Sequence, residues 1–122
     1  MGSTSGKLNL PPGIGRAGEA AAKSFVTDEL GYDIAQTNFR VREGEIDIIA
    51  IDGEVFVFIE VKTRSNKKFG TGVEQISRGK ANRLQIAAQS YLQERGKESA
   101  DWRIDMLSVD MARSGSVRSI EH

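Results

Sequence analysis

Cysteine is absent, and histidine occurs once, as His122 at the end of the chain. Without cysteine there are no disulfides, thiolate nucleophiles or thiolate metal ligands. A lone terminal histidine, expected to be disordered, leaves little basis for a zinc site or a Ser-His-Asp triad. Hydrolytic chemistry in such a chain has to run on carboxylates, lysine and a hard cation such as Mg²⁺ or Mn²⁺. Long apolar runs are missing too: Val55–Ile59 is far shorter than the roughly 20 residues that span a bilayer. The opening M-G-S-T-S-G-K-L-N-L-P-P-G-I-G lacks the charged region and apolar core of a signal peptide. The expectation is a cytoplasmic protein without a membrane partner.

Net charge is also lacking, with 17 basic and 17 acidic residues, which at first argues against a polyanionic partner. The distribution is less even. From Lys62 to Arg83, seven basic residues (Lys62, Arg64, Lys67, Lys68, Arg78, Lys80 and Arg83) stand against one acidic residue, Glu74. Such a segment suits a phosphodiester backbone, through phosphate contacts and counterion release. It also fits a solvated loop and helix face.

The stretch Gly44–Arg64, G-E-I-D-I-I-A-I-D-G-E-V-F-V-F-I-E-V-K-T-R, reads as two strands joined at Asp52-Gly53. With those two as loop residues, Ile51 faces Glu54, Ile49 faces Phe56, Asp47 faces Phe58 and Glu45 faces Glu60. One face then carries Ile46, Ile48, Ala50, Val55, Val57, Ile59 and Val61, a core face. The other carries Ile49, Ile51, Phe56 and Phe58 near the turn, then Glu45, Asp47, Glu60 and Lys62. Asp47 and Glu60 become diagonal neighbours about 7–8 Å apart at Cα. Carboxylates so placed can share one cation at oxygen distances of about 2.0–2.6 Å. The plainer alternative is an exposed strand end at which Glu60 and Lys62 pair with each other or with Glu45.

At 122 residues the chain makes one domain, and 39% hydrophobic with 28% charged residues is ordinary for a globular protein. Residues 1–14 are rich in Gly, Ser and Pro and read as a flexible arm. A helix follows from about Gly15 to Leu30, stopped by Gly31, with Glu19 in its first turn and Lys23 at i+4. Tyr32–Val41 suggests a strand leading into the hairpin. The segment S-N-K-K-F-G-T-G reads as a basic loop, in which Phe69 either stacks on a base or anchors the loop.

A long helix is predicted from about Val73 to Arg95, ended by Gly96. Its apolar stripe runs through Val73, Ile76, Leu84, Ala87, Ala88, Tyr91 and Leu92. Lys80 falls on that stripe and either snorkels outward or points toward the strand end holding Glu60. Gln75 and Arg78 are candidate phosphate contacts, or part of a solvated face. Trp102–Met111 alternates as a strand, and residues 112–122 form a tail or short edge strand. Strand, helix, strand from Val55 to Met111 implies a right-handed crossover and a parallel pair. The expected fold is α/β: a single small domain with a mixed sheet flanked by helices in the order α-β-β-β-α-β.

Several motifs together carry a resemblance. They are G-R-A-G-E at 15–19, N-F-R at 38–40, G-E-I-D-I-I-A at 44–50, V-F-I-E-V-K-T-R at 57–64, F-G at 69–70, K-A-N-R-L-Q-I-A-A-Q-S-Y-L at 80–92 and W-R-I-D-M-L-S-V at 102–109. From about Gly15 to Met111 the chain resembles the YraN-like family of small bacterial proteins. That family is similar to the PD-(D/E)xK nuclease superfamily, which includes type II restriction enzymes and archaeal Holliday-junction resolvases. The resemblance implies a restriction-endonuclease-like core over 15–111. It also implies that Asp47 is the first motif aspartate, Glu60 the acidic member of the second motif, Lys62 its lysine, and Glu19 the helix glutamate that completes a metal shell. Ile46 stands where the motif name has proline. Gln75 and Lys80 are looser matches.

The chemistry expected from this set is hydrolysis of DNA, branched or structured DNA among the candidates. Asp47, Glu60, the Val61 carbonyl and Glu19 would hold Mg²⁺ or Mn²⁺, and Lys62 would assist the attacking water. Arg40, Arg64, Lys67, Lys68, Gln75, Arg78, Lys80 and Arg83 would grip the nucleic acid. Two other classes stay open: a nucleic-acid-binding module without turnover, and a protein-interaction domain. A homodimer is compatible with so small a footprint.

Overall fold

The meander from Asp33 to Arg64 forms because β-branched and aromatic residues alternate over three runs separated by short turns. In the computed structural model, which describes residues 13–65 and 78–122, these runs are β1 (Asp33–Val41), β2 (Gly44–Asp52) and β3 (Val55–Arg64). Ahead of them lies α1 (Ile14–Ser24), which runs into a π-helical turn over Phe25–Glu29. After them come α2 (Arg78–Glu94), β4 (Trp102–Met111) and β5 (Val117–Glu121). The strands form one sheet in the order β1-β2-β3-β4-β5. The β3–β4 pair is parallel and the other three are antiparallel. This is the mixed-sheet α/β domain expected from the sequence.

The sheet separates two cores. Val26 of the π turn joins Ala22 of α1, Ile48, Ala50, Val57, Ile59, Val61, Leu107, Val109 and Met111 on one face. On the other, α2 packs Leu84, Ala87, Ala88, Tyr91 and Leu92 against Phe39, Ile46, Ile49 and Phe58. β3 is thus covered on both sides, which is why its hydrophobicity is nearly unbroken. Tyr91 meets the edges of Phe39 and Phe58 at centroid distances of 5.2 and 5.9 Å. α2 ends as Gly96 predicted: with φ at +66°, its amide bonds the Gln93 carbonyl and the Lys97 amide bonds that of Leu92.

Several expectations away from the acidic strand end need correction. The hairpin turn is shifted by one place: Asp52 pairs with Val55, so Gly53 and Glu54 are the loop residues. φ is +65° at Gly53, whereas Asn38 is the non-glycine residue with positive φ among the described residues. That is the pattern of a type II′ turn, with glycine at the first central position; a type I′ turn centred on Asp-Gly would need both residues left-handed. Glu19 lies in the second turn of α1, not its first, because the helix begins at Ile14 behind Gly13. His122 is not loose: its Nε2 lies 2.8 Å from Asp105 Oδ2, next to β5. Of the arm expected over residues 1–14, Ile14 is the buried first residue of α1, while residues 1–12 and the expected start of the second helix lie outside the described residues.

Arg103 secures the hairpin end of the sheet. It donates to Asp105 at 3.1 Å and to the Tyr32 hydroxyl at 2.8 Å, and lies 3.5 Å from Asp52. Burial pulls its pKa down, but the bond and charge of Asp105, with Tyr32 and Asp52, outweigh that and hold it above the ordinary arginine value.

Candidate active site

At the opposite end of the sheet β2 and β3 part company. Their ladder runs from Asp52↔Val55 to Ile48↔Ile59 and stops there. Continued one step, the same register sets Asp47 across from Glu60, directly opposed instead of diagonal. Asp47 fills the gap: its Oδ2 accepts the Val61 amide at 2.8 Å, a bond made in the interior. A charged acceptor thereby takes the place of a strand carbonyl.

The same point is a break in strand alternation. Ile46 belongs to the α2-side core and Ile48 to the α1-side core, so the chain turns over across Asp47. On β1, Thr37 pairs with Ile48 and Phe39 with Ile46; Asn38 between them has φ +54°. Asparagine tolerates that left-handed conformation better than most residues. The expectation that Ile46 shares a face with Ile48 is therefore corrected. The local twist turns Asp47 toward β3 instead of leaving it on a regular face.

Both carboxylates are buried, Asp47 at 7% exposure and Glu60 at 4%. This removes the reading of an exposed strand end. Glu60 pairs with Lys80 of α2, whose Nζ lies 2.7 Å from Oε2. Glu45 pairs across the strands with Arg40 at 3.3 Å. Of the two fates open to Lys80, the one toward Glu60 is realised.

α1 is held against this end of β3 by a close approach. Gly18 lies so near Thr63 that a Cβ there would sit 2.5 Å from both Cγ2 and Oγ1. The next residue, Glu19, is half-buried. Among the described residues no group of three or more Asp, Glu, His or Cys side chains is arranged to hold a metal ion, so Glu19 does not join Asp47 and Glu60 in such a group. Lys62 and Arg64 are half-buried on β3, while Arg40, Arg78 and Arg83 are exposed. Lys67, Lys68, Phe69 and Gln75 lie outside the described residues.

Two polar residues escaped the sequence reading. Ser108 and Asp110 are buried on β4, and the parallel register sets Ser108 beside Lys62 and Asp110 beside Arg64. Arg118 of β5 approaches Asp110 at 3.9 Å. Polar residues alternating along S-V-D suggest a solvated face; only the pairing with β3 reveals that they border the site.

A model of the uncharacterised protein family UPF0102 matches residues 18–109, from the glycine against Thr63 to Val109 of β4. The chain belongs to UPF0102. It is 44% identical over 105 residues to the UPF0102 protein of Symbiobacterium thermophilum, spanning 86% of this chain and 88% of that one. A UPF0102 protein of Pelotomaculum thermopropionicum is 38% identical over 109 residues, spanning 89% and 90% of the two chains. One from Moorella thermoacetica is 43% identical over 107 residues, spanning 88% of each. The UPF0102 match includes Glu19, Asp47, Glu60, Lys62 and Lys80. No helix among the described residues is long and apolar enough to cross a membrane.

Proposed function

We propose that this UPF0102 protein is a Mg²⁺- or Mn²⁺-dependent nuclease that hydrolyses DNA phosphodiesters, structured or branched DNA among its substrates, in the cytoplasm. The observation that carries the reading is the fork itself. Two buried carboxylates stand just past the last paired residues of β2 and β3, and Asp47 is bonded to the amide that follows Glu60. Burying a carboxylate is costly without a counter-charge, and the protein already sets a cationic group on Glu60. Oxygen donors at a site that accommodates positive charge fit a hard divalent cation.

Asp47, Glu60 and the Val61 carbonyl would hold the ion, with Glu19 reaching it through water. Such a cation supplies charge neutralisation at the phosphoryl oxygens and a more acidic bound water. Lys62 orients or deprotonates the attacking water, or neutralises charge as it develops on the phosphate. Arg64, Arg78 and Arg83 grip the backbone without reading bases, with Lys67, Lys68 and Gln75 as further contacts. The test is a cleavage screen with Mn²⁺ over single-stranded, duplex and branched DNA and RNA, run beside Glu60→Gln. Cleavage by the parent protein and none by the variant supports the proposal; equal products from both would trace them to a contaminant.

One observation favours a second reading, a nucleic-acid-binding module without turnover. Lys80 sits on Glu60, and no three-residue acidic group surrounds it among the described residues. On that reading, binding to DNA is salt-dependent and survives Glu60→Gln, and no metal promotes cleavage.

A further inference from the structure

The Glu60 carboxylate carries a cation of the protein's own. Its side chain is 5% exposed, and Lys80 Nζ lies 2.7 Å from Oε2. Two independent elements make the pair, since Glu60 is on β3 and Lys80 is the third residue of α2. The Lys80 side chain is 22% exposed, so its ammonium has a route to water along a flexible four-carbon stem. An ammonium that close occupies the place on Oε2 that any other cation would take, and like charges in a poorly solvated site repel strongly. Arg78 and Arg83, exposed on the same end of α2, are the company a displaced Lys80 would join.

We propose that Lys80 is an internal stand-in for the metal at Glu60: it neutralises the carboxylate until a divalent cation binds, then cedes it and turns to a phosphate of the nucleic acid. The inference rests on the metal-dependent reading above and adds to it a coupling between metal and phosphodiester binding through one side chain. Competition from Lys80 weakens metal binding to the free protein. Once released, the same ammonium strengthens the hold on an anionic backbone, and linkage requires the enhancement to run both ways. A lysine that only stabilises the fold would compete with the metal but would not couple metal binding to DNA binding.

The experiment titrates Mn²⁺ calorimetrically into the parent protein, Lys80→Met and Lys80→Arg, each alone and each with a short DNA duplex bound. Circular dichroism and a thermal melt check that the variants fold. Lys80→Met is expected to bind Mn²⁺ about tenfold more tightly than the parent, within the usual range of such couplings, and to lose the mutual enhancement with DNA. Lys80→Arg keeps a cation on Glu60 and should stay within about threefold of the parent. If Lys80→Met does not fold, ¹⁵N spectra of the parent's lysine ammonium groups decide: Mg²⁺ alone should shift the resonance that Lys80→Arg removes. An unmoved resonance, or Mn²⁺ binding to Lys80→Met no tighter than to the parent, overturns the handover and leaves the metal-dependent reading standing. If neither parent nor variant binds Mn²⁺, that reading fails and the handover fails with it.

Discussion

Gly18 and Thr63 meet so closely that a methyl group on residue 18 would lie 2.5 Å from two atoms of the threonine side chain. Thr63 is 1% exposed and β-branched, so rotation only exchanges one branch for the other. Gly18→Ala gains about 1 kcal/mol of helix propensity but meets an overpacking cost of about 1–3 kcal/mol. The expected balance is a loss of roughly 1 kcal/mol, or about 4 °C in Tm. Thr63→Ala in the same chain should return most of it, and a thermal double-mutant cycle measures the coupling. Additive effects would mean that the helix slides away from the contact.

Asp47 joins the sheet as an acceptor for the Val61 amide. Asp47→Ala leaves that buried donor unsatisfied and should cost about 1–3 kcal/mol in urea denaturation. Asp47→Asn keeps a side-chain oxygen for the amide and should fall well short of that loss, while weakening any divalent cation held there. Equal destabilisation by the two variants would show that the bond contributes little.

The Glu60–Lys80 pair should respond asymmetrically to truncation. Lys80→Met leaves a carboxylate with 5% of its side chain exposed beside an apolar group, whereas Glu60→Gln leaves the lysine, 22% exposed, beside a neutral amide. Removing one partner of a fully buried pair costs about 3–5 kcal/mol. Because Lys80 is partly exposed, about 2 kcal/mol is expected for Lys80→Met, and less than half of that for Glu60→Gln. Chemical denaturation of both variants checks the order, and a larger loss for Glu60→Gln would contradict it.

The exposed arginines of α2 should act through phosphate. Each of Arg78→Ala and Arg83→Ala is expected to weaken DNA binding alike across sequences and to lower the slope of log affinity against log salt by about 0.9 on duplex. Fluorescence anisotropy at several salt concentrations gives the slope. Unchanged slopes would remove α2 from the interface.

Much of this architecture could be read from residue pattern because the forces that set it are local. The alternation of β-branched residues marked β2 and β3, the stripe on α2 foretold the face bearing Tyr91 and Leu92, and Gly96 foretold the helix stop. The turn was misplaced by one residue because Asp-Gly suits two hairpin geometries, and the chain uses the one that needs a left-handed residue only at Gly53. The twist at Asp47 was hidden for a different reason: it accompanies the backbone of Asn38 on the neighbouring strand, and no pattern within β2 encodes it. Ser108 and Asp110 stayed invisible because their burial is a property of the parallel pairing with β3. Lys80 was legible as a charge on an apolar stripe, and its partner followed only from the packing of α2 over the sheet.

The proton on the Val61 nitrogen is fastened by a side chain where a sheet would normally use backbone. Anything that pulls charge from Asp47, whether an ion, a proton or a neighbouring phosphate, must loosen or tighten that fastening. Solvent exchange at this one amide is therefore a reporter of occupancy that needs no substrate, and the zip between β2 and β3 cannot be tuned without retuning the carboxylate.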